Sequence, residues 1–183
     1  HLQEHGIKVV HVVSGVKFAL KSQEAGVDAV VAEGFEAGGH NGRDETTTFT
    51  LIPMVKEKID IPLIAAGGIA TGRGMLAAMV LGADAVQVGS RFVATPEASS
   101  HQNFKEMVVK AQEGDTKLTL KELAPVRLLK NKFFEDVQKL YAENPSNGFL
   151  PSIGTLEKVE APTGPNIRND TGIYSGMKIT PYY

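Results

Sequence analysis

Cysteine is missing from all 183 residues, which excludes disulfides and any chemistry that needs a thiolate. That absence fits a cytoplasmic setting, and we expect one. Neither sign of charge dominates, with Lys+Arg 19 against Asp+Glu 21 and a formal net charge of -2. The chain therefore lacks the basic footprint of a general nucleic-acid binder. No apolar run is long enough to span a bilayer, and the first residues carry no signal-like pattern. Because the sequence starts at His1 rather than a methionine, we expect a piece of a longer polypeptide. His1, His5, His11 and His101 show no ligand spacing with one another, so no metal site is expected. What is left is an ordinary globular composition, 42% hydrophobic.

Apolar runs and helical spacings alternate over the first 90 residues. Strands are predicted over 7–13, 28–32, 61–66 and 85–88. Helices are predicted over 16–25, 49–59 and 75–81, the first stopped by Gly26 and the last capped by Thr71. The Thr46-Thr47-Thr48 run is expected to cap the middle one. Strands this uniformly apolar, separated by helices, argue for an α/β fold with a parallel sheet buried on both faces. A repeat supports it: Gly26-Val27-Asp28-Ala29-Val30 recurs as Gly82-Ala83-Asp84-Ala85-Val86, 56 positions on. That interval fits two βα units, which favours a (β/α) barrel. A full barrel takes eight units and about 250 residues. Only four strands can be found here, so a barrel would be present as its second half.

Beyond the last of these strands, an amphipathic helix is predicted over 100–111 behind a serine cap at Ser100, and another over 130–140. The texture then turns to Pro and Gly, with short strand candidates at 155–159 and 173–174. We place a domain boundary there, giving 1–140 and a turn-rich β segment, 141–183.

Glu36-Ala37-Gly38-Gly39-His40 raises a specific question, because paired glycines are costly in any regular element. An imidazole after a strand can take a proton from a weak carbon acid near neutral pH, or it can simply tie down a loop. Spacing leaves both open. Glu33, just before, reads as a carboxylate capping the core. Two glycine turns follow the last two strands: Ala66-Gly67-Gly68 and Gln87-Val88-Gly89-Ser90. In barrel enzymes the loops at this end commonly cradle a phosphate with backbone amides. Tight βα turns would also use glycine, but two in tandem favour the phosphate. Arg73 and Arg91 suit a phosphate or plain solvent equally.

The stretches "GVDAVVAEGFEAGGHNGR", "IPLIAAGGIATGRGMLAAMVLGADAVQVGSRFV" and "LAPVRLLKNKF" resemble the second half of the FMN-dependent nitronate monooxygenases (2-nitropropane dioxygenases) and the related flavin enoyl-acyl-carrier-protein reductase II. The resemblance covers residues 1–138. It implies a TIM barrel with FMN at the carboxyl end of the strands and the phosphate around Ala66, Gly67, Gly68, Gly89 and Ser90. It also implies Gln87 near the flavin and His40 as the catalytic histidine, with Gly38 and Gly39 letting the backbone pass close to the cofactor. "EAGGH" is similar to the nitronate oxidisers, which act with O2. "AEG" is similar to the reductases, which use NAD(P)H on an enoyl thioester; many oxidisers carry glutamine where Glu33 stands. We expect nitronate or nitroalkane oxidation with His40 as base, with enoyl reduction the alternative. Either way the partner is a small-molecule substrate, and the barrel needs its other half or another chain.

Residues 141–183 instead resemble the C-terminal domain of biotin carboxylase, where the arginine matching Arg168 contacts biotin or bicarbonate. The ATP-binding parts of a carboxylase have no counterpart in this sequence. The tail is therefore expected to be a carboxylase-like fragment, or a non-catalytic part of a larger assembly, without activity of its own.

Overall fold

Along the chain the strands are β1 (Val10–Val13), β2 (Ala29–Glu33), β3 (Gly39–His40), β4 (Leu63–Ala66), β5 (Ala85–Gln87), β6 (Thr116–Thr119) and β7 (Val126–Leu129). The helices are α1 (Val16–Glu24), α2 (Thr48–Lys56), α3 (Gly72–Val80), α4 (Ser90–Val93), α5 (Gln102–Lys110) and α6 (Lys132–Glu143). The computed structural model describes residues 1–143. They form two units, one of His1–Ala37 and Asn41–Arg91, the other of Gly38–His40 and the residues from Phe92 on.

In the first unit β1, β2, β4 and β5 pair in that order, all parallel. The expected α/β architecture is therefore present. Ala29, Val30, Val31 and Ala32 of β2 are all buried, since β2 is flanked by β1 and β4. Burial on both faces does not extend to the outer strand β1, where Val10 and Val12 are exposed. Val30, Ala32, Leu63 and Ala65 pack with Ala19 of α1, Leu51, Ile52 and Val55 of α2 and Ala78 of α3. Thr71 caps α3 as expected, its hydroxyl accepting from the Gly74 amide at 3.2 Å. Helix α2 is shorter than its periodicity suggests. It ends at Lys56, where Lys58 N donates to Val55 O and the chain tightens, yet Ile59 is still only 5% exposed. There the apolar spacing marked burial rather than helix.

The second unit holds strands that the expectation of four omitted. β3, β7 and β6 form an antiparallel sheet in that order. Leu120, Val126, Leu128 and Val137 form its core, with Phe104, Phe133 and Leu140 packed against them. These strands are short and half polar, so they show no continuous apolar run. A second correction concerns α5. Its cap is His101, whose Nδ1 accepts from Asn103 N at 3.1 Å, while the Ser100 hydroxyl donates to Val93 O at 3.3 Å. No helix among the described residues is long and apolar enough to cross a membrane.

Candidate functional site

The carboxyl edge of the parallel sheet carries one row of residues: Glu33 lies in register with Ala66, and Ala66 with Gln87. Residues of one row project to the same face of the sheet. Two glycine turns continue from this row, so Gly67-Gly68 and Gly89-Ser90 leave adjacent strand ends within one unit. The structure thus brings together the six sequence-predicted residues Ala66, Gly67, Gly68, Gln87, Gly89 and Ser90.

Their glycines have different reasons to be glycine. Gly67 has φ +103, and a Cβ there would stand 2.7 Å from Gly34 O and 2.7 Å from Thr48 Oγ1. Close backbone packing requires this glycine, with or without a ligand. Gly89 is the opposite case: it is exposed, and nothing lies within 4 Å of where its Cβ would be. The amides of Gly68, Gly89 and Ser90 donate to no acceptor among the described residues. Exposed backbone amides at adjacent strand ends are the kind of donor a phosphate uses. Their chemistry is compatible with a phosphate group.

The N-terminus of α2 is the other natural place for an anion, and it is taken. Both carboxylate oxygens of Glu36 accept from the Thr48 amide, at 3.1 and 2.9 Å, and Thr48 Oγ1 lies 3.0 Å from Oε2. The expected threonine cap is therefore corrected: Thr47 occupies the N-cap position without a side-chain cap bond. A carboxylate from the loop after β2 does that work, favoured by the helix dipole. Thr48 Oγ1 also lies 3.2 Å from Ala66 O and 2.9 Å from Gly67 O. Sequence reasoning missed this pairing. The only signals were a carboxylate in "EAGGH" and three consecutive threonines, and nothing in the spacing joins them.

Glu33 is half-buried at the end of β2, and burial pushes its carboxyl up to about 7. A carboxyl raised in this way stays largely protonated up to the neutral range.

Gly38, Gly39 and His40 belong to the second unit, where Gly39 faces Arg127 and His40 faces Val126 in the β3–β7 ladder. His40 is exposed. Arg73 and Arg91 are exposed as well. Arg168 lies outside the described residues, as do the strand candidates at 155–159 and 173–174.

Two family models match the chain. "Nitronate monooxygenase" covers residues 1–159, and "Biotin carboxylase C-terminal domain" covers residues 138–183. A probable nitronate monooxygenase of Staphylococcus saprophyticus is 36% identical over 154 residues, which are 79% of this chain and 43% of that protein. Among solved structures, FabK from Thermotoga maritima matches with TM-score 0.73 and 49% identity, covering 80% of this chain and 47% of FabK. The nitroalkane oxidase of Streptomyces ansochromogenes matches with TM-score 0.67 and 34% identity, over 74% of this chain and 42% of the oxidase. The chain spans less than half the length of these relatives.

Proposed function

We propose, since the chain belongs to the nitronate monooxygenase family, that it forms the phosphate-holding part of an FMN-dependent oxidoreductase acting on alkyl nitronates or nitroalkanes with O2. The observation that carries this reading is the set of amides at Gly68, Gly89 and Ser90, exposed at neighbouring strand ends and unclaimed by any acceptor among the described residues. Bound there, FMN would supply the redox chemistry, accepting electrons from the substrate and delivering them to O2. The chain's own residues hold and orient. Backbone donors neutralise the phosphate without a fixed cation, and Ala66 and Gln87 line the row below it. His40 takes the proton from the carbon of a neutral nitroalkane, while Gly38 and Gly39 let the backbone run close to the cofactor. Closing a barrel takes further parallel strands, from the missing half or another chain.

A second reading is reduction of an enoyl thioester with NAD(P)H as electron source. The 49% identity to FabK favours it, as does a glutamate rather than a glutamine at position 33. The tail adds the biotin carboxylase likeness, with Arg168 as its candidate biotin or bicarbonate contact, in a cytoplasmic protein.

Titrating the purified chain into FMN and recording the visible spectrum tests the common core. A shifted, protein-bound flavin band is expected, and its absence at saturating FMN rejects the flavin reading. Supplying a nitronate with O2, or NADH with an enoyl thioester, then separates the two substrate classes by which pair is turned over.

A further inference from the structure

Three backbone segments meet at Thr48, which is only 8% exposed. The loop after β2 arrives through Gly34, where a Cβ would overlap Thr48 itself. The turn after β4 arrives through Gly67, whose Cβ would strike both Gly34 O and Thr48 Oγ1. Gly34 N donates to Ala66 O at 2.9 Å, tying the two loops directly. The Thr48 hydroxyl has one proton and three acceptors within 3.2 Å: Glu36 Oε2, Ala66 O and Gly67 O. It is shared among them, so the position of each acceptor constrains the others. The carboxylate of Glu36 then secures Thr48 through two further contacts with its amide. Its own Cβ lies 3.2 Å from where a side chain on Gly68 would begin.

We infer that Glu36 and Thr48 are positioning residues: together they set the gap between the loop after β2 and the turn after β4, and so aim the Gly68 amide. The consequence for ligand binding rests on the reading that this amide helps to hold the FMN phosphate. An ordinary helix cap would fix only the first turn of α2. This clasp reaches across to a second strand end, because the same threonine bonds backward to a carboxylate and forward to Ala66 and Gly67. Glu36→Gln keeps the shape but turns an NH2 group toward a donor, and Thr48→Val removes the hydroxyl while keeping the amide.

The test is amide hydrogen exchange on the whole chain without cofactor, followed by an FMN titration of the same samples. Glu36→Gln and Thr48→Val should each speed exchange at Ala66, in the ladder with β2, as well as at the hydrogen-bonded amides of Gly34, Phe35 and Ala37, and weaken FMN by about tenfold or more, as small misplacements do. Thr48→Ser, which keeps the hydroxyl, should restore both. Val55→Ala serves as the control, since it opens a cavity in the core of α2 without touching either loop and should leave FMN affinity alone at a matched loss of Tm. Faster exchange confined to the first turn of α2, or an equal FMN loss in Val55→Ala, overturns the inference. If exchange behaves as stated but the unaltered chain binds no FMN, the clasp is supported and the flavin reading is what fails.

Discussion

Asp28 and Val9 hold each other twice: the Val9 amide donates to the Asp28 carboxylate at 2.8 Å, and the Asp28 amide donates to the Val9 carbonyl at 2.8 Å. The same pair of bonds recurs between Asp84 and Leu63, at 2.9 and 2.8 Å. The repeated Gly-x-Asp-Ala-Val is thus a device for setting parallel register, each aspartate fastening the start of its strand to the strand beside it.

The Asp28 carboxyl is held down to about 2, first by the hydrogen bond from Lys8, then by those from the Val9 amide and Gln3. A carboxyl lowered on folding adds stability above its ordinary value of 3.8, and that gain disappears as pH falls toward about 2. Asp28→Asn should therefore lower Tm by a few degrees near neutral pH. The gap to the unaltered chain should close as pH drops through that window, in thermal melts taken at several pH values. Asp84→Asn should behave alike. Equal Tm values at pH 7 would show that the bonds contribute nothing to register.

Much of the first unit is legible in the residue pattern because its elements are specified locally. The run Ala29 to Ala32 is apolar without interruption, and Thr71 stands three residues before the amide that it caps. The second unit escapes because β6 reads Thr-Lys-Leu-Thr and β3 is two residues long. Both become strands only by pairing with β7, a tertiary event with no local signal. The site divides similarly. Glycine turns announce themselves, whereas Glu36 and Thr48 meet across a loop whose course depends on the finished fold. Periodicity also cannot separate Gly67, required by packing, from Gly89, which stands in open space.

Gly67 and Gly89 should therefore respond oppositely to alanine. Gly67→Ala forces a Cβ against Gly34 O and Thr48 at a positive φ, and should cost about 2 kcal/mol or more. Gly89→Ala meets nothing within 4 Å, so its stability should stay within about 0.5 kcal/mol of the unaltered chain. Its FMN affinity should nevertheless fall by about tenfold, because the methyl group would hold the phosphate off the amides. Denaturant melts and flavin titration measure the two separately. Unchanged affinity in Gly89→Ala would move the phosphate elsewhere.

Glu33 supplies a pH test of opposite sign to Asp28. Its folded value, about 7, lies above its ordinary 4.5, so the fold prefers the protonated form. The penalty is near zero below about pH 4 and grows until the carboxyl has ionised above 7. Glu33→Gln abolishes it. Relative to pH 4, the variant should gain roughly 2–3 kcal/mol on the unaltered chain by pH 8. A gap that does not change with pH would mean that the carboxyl ionises at its ordinary value.

His40 is tested best by two substrates that differ by one proton. A neutral nitroalkane must lose a proton from carbon before electrons can leave, whereas a nitronate has already lost it. If His40 is the base, His40→Ala should lower turnover of the nitroalkane by on the order of 10²–10⁴ and leave the nitronate within a few-fold of normal. If the imidazole only anchors β3 against β7, both substrates should suffer alike and Tm should fall. The exposure of His40 argues against a large packing contribution, so a marked loss of Tm with equal losses on the two substrates would remove it from the chemistry. Turnover with each substrate, measured beside a thermal melt, decides between the roles.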